Sequence, residues 1–288
     1  MRVLLIPPKN NYPDPMPRVD IFGQGFPYIA GALKKAGHEV FGINLSDQWC
    51  GLSAPNKLAA SIEKAVKEYQ PDFVGVGGLS GDYAFVRDAI RFTRKAAPHT
   101  PVVCGGGIVT YDREYIFANL HPDFAVSGEA EDTIAPLADC LAGKGDIKTL
   151  PNIARWENSQ PVYNPCEYSS TRLEDLPLPD YRPFDYGRFL ESFNQTDVFY
   201  AHMRRHPRIM PISIGRSCPF HCTFCVHSHT AGPRYRQRSI DSAMAEIAHF
   251  YDKYHFNILF VYDELFSVKK ERVIEFCAKI KKLKADLG

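Results

Sequence analysis

Apolar residues in the first half of the chain form short runs, separated by segments in which they recur at helical spacing. The runs at 3–6, 73–76 and 101–104 are almost wholly apolar, which is typical of strands covered on both faces. Strands that alternate with amphipathic helices indicate βαβ units and a parallel sheet. The predicted strands are 3–6, 39–43, 73–76, 101–104 and 124–126, and the predicted helices are 26–36, 58–69, 83–96 and 131–141.

The last third of the chain has the same alternation. Strands are predicted at 210–215 and 258–261, and helices at 240–254 and 270–283, with Ser239 as the N-cap of the first of these helices. Between the two halves, residues 146–209 are rich in Pro and Tyr and have no sustained periodicity, which predicts an extended connector. The predicted domains are therefore 1–145 and 210–288, joined by 146–209.

Composition and charge narrow the function classes. The chain has 288 residues, of which 45 % are hydrophobic and 23 % charged, and its net charge of +1 indicates no nucleic-acid or anionic-membrane partner. No apolar run approaches the roughly 18 residues that span a bilayer. Eight cysteines without a signal peptide indicate a reducing compartment, and we expect a cytoplasmic protein. Four of them, Cys50, Cys104, Cys140 and Cys277, are predicted core residues; Cys166 lies in the connector without an evident partner.

Three cysteines form the most specific motif in the chain. Cys218, Cys222 and Cys225 make a C-x3-C-x2-C run directly after the strand at 210–215. Iron–sulfur clusters are held by cysteine thiolates, often four, and a site with three protein ligands keeps an open position for chemistry. The alternative is a structural zinc site, completed by His221, His227 or His229. Zinc sites usually pair their ligands across a dozen or more residues, which three cysteines within eight positions fit poorly.

Glycines follow three strands of the first domain. They are Gly77-Gly78, Gly105-Gly106-Gly107 and Gly128. Glycine permits positive φ and a close approach of backbone to a ligand. Each turn alone is well explained as a tight connection, whereas three on one sheet edge favour a bound ligand. None of them is a dinucleotide or triphosphate motif.

The cysteine run resembles that of the radical S-adenosylmethionine (SAM) superfamily. The match includes the spacing, the aromatic Phe224 and the entry at 214–219. The resemblance implies a 4Fe–4S cluster whose open iron chelates SAM and whose electron cleaves it to a 5′-deoxyadenosyl radical. It also implies a small-molecule substrate and an electron donor such as flavodoxin or ferredoxin.

The first domain resembles the cobalamin-binding domain that precedes many radical SAM domains. The similar residues are Gly77-Gly78-Leu79-Ser80, Gly105-Gly106-Gly107, Ser127-Gly128-Glu129, 25–30 and the LPxPDY run of the connector. The group includes anaerobic magnesium-protoporphyrin monomethyl ester cyclase and cobalamin-dependent methylases. Many cobalamin folds carry D-x-H-x-x-G after the first strand, and 7–15 lack it, which leaves the cobalt's lower ligand open. The implied fold is α/β: a Rossmann-like, flavodoxin-like parallel-sheet domain that binds cobalamin, then an incomplete (β/α) partial TIM barrel.

Phe224, just before the third cysteine, and residues after the cysteines are candidates for binding SAM. The donor-rich run 234–239 contains Arg236, which is as consistent with a solvated basic loop as with a carboxylate contact. Asp263 and Glu264 follow the strand at 258–261, and the resemblance implies that one of them contacts the SAM ammonium, with Glu264 preferred. No catalytic residue is identified.

The second domain has room for two βα units, whereas a radical SAM barrel needs about six. We expect a truncated longer protein, or else a partner chain that completes the barrel. The leading hypothesis is a cobalamin-dependent radical SAM methyltransferase or cyclase that modifies an unactivated carbon. The alternatives are a non-catalytic fragment that binds cobalamin or a cluster, and a radical SAM enzyme whose first domain is vestigial.

Overall fold

The computed structural model describes residues 1–9, 12–13, 22–45, 54–192, 207–226 and 235–287. These form two compact units. The first comprises Met1–Ser169 and Pro179–Ser192, and the second comprises Ser170–Leu178 and Phe193–Gly288. The predicted Cys50, His227, His229 and Arg234, and most of the loop 10–15, lie outside the described residues.

A seven-stranded sheet forms the centre of the first unit, with the strand order β2-β1-β3-β4-β5-β6-β7. The first five strands are parallel, and their order 2-1-3-4-5 is that of flavodoxin-like folds. The predicted Rossmann-like sheet is therefore confirmed. Its strands are β1 (Arg2–Ile6), β2 (Glu39–Gly42), β3 (Phe73–Gly77), β4 (Val102–Gly105), β5 (Phe124–Val126), β6 (Ile153–Glu157) and β7 (Gln160–Tyr163).

Helices cover the sheet of the first unit. Their apolar residues, with those of the strands, form a continuous buried core that includes Leu4, Leu58, Val74, Phe85 and Phe117. The sequence pattern missed α4, which continues through non-helical dihedral angles at Asp112. The helices are α1 (Gly25–Lys35), α2 (Ala54–Tyr69), α3 (Tyr83–Ala96), α4 (Gly107–Leu120), α5 (Ile134–Leu141) and α6 (Tyr186–Ser192).

The segment predicted as a connector contains regular structure. β6 pairs antiparallel with β5, and β7 pairs antiparallel with β6. Asn158 and Ser159 form the two-residue loop between them, both with positive φ, as the tight turns of β-hairpins require. The boundaries at 145 and 209 therefore differ from those of the two units, because the hairpin extends the sheet of the first unit.

The chain returns to the first unit at Pro179–Ser192. Phe184 is fully buried, and its ring centroid lies 5.2 Å from that of Phe22. Its ring also occupies the place where a side chain at Gly42 would stand, 2.4 Å from an added Cβ. Asp180 is buried and pairs with Lys34 (2.7 Å) and Arg182 (2.8 Å). These contacts make Pro179–Ser192, a part of the predicted connector, belong to the core of the first unit.

The second unit contains two small sheets. β8 (Ile209–Ile212) pairs parallel with β11 (Ile258–Val261), and β9 (Gly215–Arg216) pairs antiparallel with β10 (Arg236–Gln237). The helices are α7 (Ile240–Tyr254) and α8 (Lys270–Leu287). The hydroxyl of Ser239 accepts a hydrogen bond from the Ser242 N–H, which confirms the predicted N-cap. This β–α–β–α order provides the two βα units that the sequence predicts.

Across the described residues, no helix combines the length and the apolar character that crossing a bilayer requires.

Candidate functional site

The three glycine turns lie at one edge of the first unit's sheet, where the parallel strands β3, β4 and β5 end. The three strands are neighbours, and Gly77 is directly opposite Gly105 in the register. In open α/β folds ligands bind outside the carboxyl ends of the strands. The structure therefore brings together all of the residues that the sequence predicted for cobalamin.

The turns after β3 and β4 interlock through their backbones. A Cβ at Gly77 would lie 2.4 Å from the Gly105 carbonyl oxygen, and one at Gly106 would lie 2.7 Å from that of Gly78. Gly106 also has a φ of +87°, which favours glycine. The Ile108 N–H donates to the Gly78 carbonyl at 2.9 Å. Close packing between the turns thus accounts for glycine at 77 and 106, so these two glycines are not by themselves evidence of a ligand.

Little side-chain material covers this edge. Gly106, Gly128 and Ser80 are exposed, and Leu79 has 62 % of its surface in solvent. At Gly128 the φ is +74° and no atom lies within 4 Å of an added Cβ. The result is a flat, mainly backbone surface with one apolar side chain, which fits the broad and largely apolar face of a corrin ring.

Two polar side chains, those of Thr110 and Asp82, organise this edge. Sequence reasoning identified neither of them as part of the site. Thr110 is in α4; its hydroxyl donates to the Gly106 carbonyl (3.0 Å) and accepts from the Gly128 N–H (2.9 Å), so it ties two turns together. Asp82 accepts from the Leu79 N–H at 2.8 Å, and its pKa is raised because burial outweighs that hydrogen bond. Thr110 escaped notice because the helix that carries it was not predicted.

Ser127, at the end of β5, has a buried hydroxyl oxygen without a hydrogen-bond partner in the described structure. Its backbone N–H donates to the Asn152 carbonyl at 2.9 Å. Because buried polar groups are normally satisfied, this hydroxyl fits a ligand contact at the edge. The donor set and the exposed backbone together fit a cobalamin.

The loop after β1 is anchored at Tyr12. The Tyr12 hydroxyl donates to the Asp88 carboxylate on α3 at 2.7 Å, and the Tyr12 ring packs edge-on against Phe85. Burial and the Asp88 carboxylate raise the pKa of Tyr12. β1 and β3 flank the topological switch point of this fold, so the chain leaves β1 next to the candidate cobalamin edge.

The cysteine motif lies on the loop after β9 in the second unit. The loop begins at Ser217 with a φ of +66°, an uncommon conformation for a residue other than glycine. Cys218 and Cys225 are half-buried and Cys222 is exposed, and none of the three forms a disulfide. The Cys225 N–H donates to the Cys222 carbonyl at 2.9 Å, and Phe224 is 90 % exposed.

The chemistry of this donor set fits an iron–sulfur cluster, since three thiols lie on one short loop. In the part of the chain that the structure describes, no group of three or more His, Cys, Asp or Glu side chains is close enough to hold a metal ion. The three thiolates of a 4Fe–4S site each bind a different iron, so this result concerns only a site for a single metal ion.

The three candidates for SAM contacts that follow the cysteines have different environments, whereas the fourth, Phe224, lies on the cysteine loop itself. Asp263 is half-buried, and its Oδ1 accepts from the Ile214 N–H at 2.7 Å. Burial raises the pKa of Asp263, against the hydrogen bonds from the backbone. Glu264 is exposed, and the Arg236 guanidinium donates to the Thr171 carbonyl at 2.7 Å. Asp263 and Arg236 thus make structural contacts within the second unit.

The remaining cysteines only partly match their predicted roles. Cys104 is buried in the core, where burial raises the pKa of its thiol to about 12. Cys277 was predicted to be a core residue, and this was wrong: it is exposed, because α8 buries mainly Phe276 and turns Cys277 outward. Cys166 does have a partner, since its sulfur lies 3.1 Å from the Arg113 guanidinium.

A cavity of about 380 Å³ lies in the first unit beside Cys140, Arg155 and Trp156, without any of the predicted site residues. The Arg155 guanidinium there is already paired with Asn164 (2.5 Å) and Glu157 (2.7 Å). This cavity therefore carries no unpaired charge from Arg155 to recognise an anion.

The chain is similar to known proteins across both candidate sites. Residues 18–138 match the B12 binding domain family, which covers β2 to β5 and the glycine edge. Among curated proteins, the chain is 23 % identical over 265 residues to an uncharacterized methyltransferase of Pyrococcus horikoshii. It is also 25 % identical over 282 residues to the anaerobic magnesium-protoporphyrin IX monomethyl ester cyclase of Synechocystis. The chain resembles cobalamin-binding radical SAM proteins. This confirms the resemblance that the motifs predicted.

The relatives are longer than this chain. The alignments cover 92 % and 97 % of the chain but 53 % of each of those two relatives. A solved structure of the radical SAM methyltransferase TsrM from Kitasatospora setae, with cobalamin and a [4Fe-4S] cluster bound, superposes with a TM-score of 0.71 at 18 % identity. That superposition covers 99 % of the chain and 51 % of TsrM. The fold is therefore that of TsrM over about half of its length.

Proposed function

We propose that this chain forms the cobalamin-binding and cluster-binding part of a radical SAM enzyme that modifies an unactivated carbon of a small molecule. The observation that carries the proposal is the combination of two features in one chain. One is the glycine edge within a B12 binding domain match, and the other is a three-cysteine loop at the end of a βα strand. Either feature alone is compatible with a simpler binding protein.

The glycine edge is the proposed cobalamin site. Leu79 and the exposed backbone at Gly106 and Gly128 contact the corrin ring, while Ser80, Ser127 and Glu129 supply polar contacts at its rim. The absence of side chains in the neighbouring turns leaves room for the ring to approach; these positions are Gly77, Gly78, Gly105 and Gly107. Support comes from the exposed Leu79, the unpartnered Ser127 hydroxyl and the open space above Gly128.

Cys218, Cys222 and Cys225 are the proposed ligands of a 4Fe–4S cluster. Phe224 and Glu264 are proposed to contact SAM, with Glu264 facing its ammonium group; both side chains are exposed and able to reach a ligand. When bound, the cluster supplies the electron that cleaves SAM and cobalamin supplies alkyl-transfer or radical-controlling chemistry. The protein's own part is to orient these groups and to exclude water. An electron donor such as flavodoxin or ferredoxin would be needed.

The relatives support two classes of product. One is named a methyltransferase and another a cyclase. We favour methylation or ring formation on a small molecule, and leave the choice between them to product analysis with the substrate of the complete protein.

Anaerobic reconstitution tests the cluster. The 288-residue chain is incubated with iron, sulfide and reductant, desalted and assayed for iron per chain. Alanine at Cys218, Cys222 and Cys225 together should abolish iron binding and the visible cluster absorbance. Cys277→Ala is the matched control, since Cys277 is exposed and in the same unit. Equal iron in the triple variant and the control would refute the cluster assignment.

Cobalamin binding is tested separately. The chain is incubated with hydroxocobalamin, passed over a desalting column and examined for corrinoid absorbance. Leu79→Asp should weaken binding at least tenfold, because a carboxylate is costly to desolvate against an apolar ring. Ile274→Asp is the control, since Ile274 is similarly exposed (58 %) but belongs to the second unit. Retention of no corrinoid by the wild-type chain would favour a vestigial first domain.

A further inference from the structure

Ile214 anchors the strand that leads into the cysteine loop, because both its backbone N–H and its backbone carbonyl form long-range hydrogen bonds. Its N–H donates to the Asp263 carboxylate at 2.7 Å, and its carbonyl accepts from the Arg238 N–H at 3.0 Å. Ile214 itself is fully buried. It lies where the chain leaves β8, which pairs with β11, and enters β9, which pairs with β10.

The second partner of Ile214 is itself fixed. The Arg238 guanidinium donates to the Glu246 carboxylate on α7 at 2.5 Å, and both side chains are buried. Arg272 on α8 donates to the Arg238 carbonyl. Two helices therefore hold the backbone whose N–H donates to the Ile214 carbonyl.

The first partner, Asp263, fits closely against the next residue of the strand. A Cβ at Gly215 would lie 3.1 Å from Asp263 Oδ2 and 3.2 Å from the Arg236 carbonyl oxygen. Glycine at 215 thus leaves the space that the carboxylate occupies. The Oδ2 atom is buried. Asp263 is therefore directed at the strand rather than at solvent, in contrast to the exposed Glu264 next to it.

We propose that Asp263 is a positioning residue for the cluster-binding loop. By holding Ile214, it fixes the backbone four residues before Cys218, so that the loop carrying the three cysteines starts from a fixed point. Asp263 is then not a ligand of SAM, and the ammonium contact belongs to Glu264. The inference rests on the proposed function, because it assumes that Cys218 is a cluster ligand.

Matched variants separate the two acidic residues. Asp263→Ala removes the acceptor for the Ile214 N–H, while Asp263→Asn keeps an oxygen in the same place. Supporting groups of metal ligands typically contribute 10- to 100-fold in metal affinity. We therefore expect Asp263→Ala to lose iron to a chelator about 10-fold faster than the wild type, and Asp263→Asn to restore most of the difference. Asp241→Ala, at an exposed carboxylate on α7, should leave the rate unchanged.

Glu264→Gln should retain iron at the wild-type rate but weaken the change that SAM causes in the electron paramagnetic resonance spectrum of the reduced cluster. The reverse pattern would overturn the inference: normal iron retention in Asp263→Ala together with a lost response to SAM. Gly215→Ala provides a second variant that disturbs the same contact, and it should accelerate iron loss as Asp263→Ala does.

Hydrogen exchange distinguishes failure of this inference from failure of the proposed function. The Ile214 amide should exchange faster in Asp263→Ala than in Asp263→Asn, whether or not a cluster is bound. If the wild-type chain binds no iron but this difference in exchange is seen, the proposed function fails, whereas the positioning of the strand by Asp263 is supported. If the exchange rates are equal, Asp263 does not position the strand.

Discussion

A methyl group at position 77 has no room between the central strands of the first unit. In Gly77→Ala the added carbon would lie 2.4 Å from the Gly105 carbonyl oxygen and 2.9 Å from its carbonyl carbon. Ordinary carbon contacts begin near 3.5 Å, so β3 and β4 would have to separate by about 1 Å. Both atoms belong to backbone and cannot rotate away. Overpacking of this kind costs typically 1–3 kcal/mol, and we expect about 3 kcal/mol here because the obstruction is rigid.

Thermal unfolding followed by tryptophan fluorescence measures this cost in the correct unit, because both tryptophans, Trp49 and Trp156, lie in the sequence of the first unit. A loss of about 3 kcal/mol lowers Tm by about 6–12 °C in a unit of this size. Gly81→Ala is the control, since nothing lies within 4 Å of its added Cβ and its φ is not positive; its stability should change by less than about 1 kcal/mol. Equal melting temperatures for the two variants would refute the interlocking of the turns.

Three further predictions concern packing in the first unit, the pH dependence of its stability and the N-cap of α7. Phe184→Ala should destabilise the first unit by about 3–5 kcal/mol in the same fluorescence assay, whereas Leu178→Ala, at an exposed position, should have little effect. Burial raises the pKa of Asp180, but hydrogen bonds from Arg182 and Lys34 outweigh it and lower the net pKa. Stability from this group is therefore present above about pH 4 and lost as the pH falls below it, so Asp180→Asn should flatten the acid limb of the stability–pH curve, while Glu63→Gln should not. Ser239→Ala should destabilise α7 by about 1 kcal/mol, as measured by urea unfolding followed by circular dichroism, and Ser239→Asp should retain most of the cap.

Periodicity predicted those elements whose apolar pattern is unbroken. The helix Ile240–Tyr254 and the strand Ile258–Val261 have their predicted bounds. The pattern failed for α4, whose backbone has non-helical dihedral angles at Asp112. It also failed for the β6–β7 hairpin, whose turn is Asn-Ser rather than the more typical Asn-Gly, and whose second strand contains Pro161.

The candidate sites were predictable to different depths. Because parallel strands end at the same edge of a sheet, the sequence predicts that glycines after successive strands lie together at that edge. The tie made by Thr110 could not be predicted without α4. The acidic pair after β11 could be located from the sequence, with Glu264 preferred for the SAM ammonium, but the bond between Asp263 and Ile214, 49 positions apart, could not be predicted. Such a contact leaves no local pattern in the sequence.

The discontinuity of the first unit has a consequence for any attempt to transfer it between proteins. Its sequence is interrupted by Ser170–Leu178, which belongs to the other unit, before Pro179–Ser192 completes it. A recombination event or a gene fragment ending near residue 145 would discard the β6–β7 hairpin and the aromatic residues that cover Gly42 and Phe22. The smallest segment that could transfer the complete first unit therefore extends through residue 192. It includes the nine residues Ser170–Leu178, which belong to the second unit.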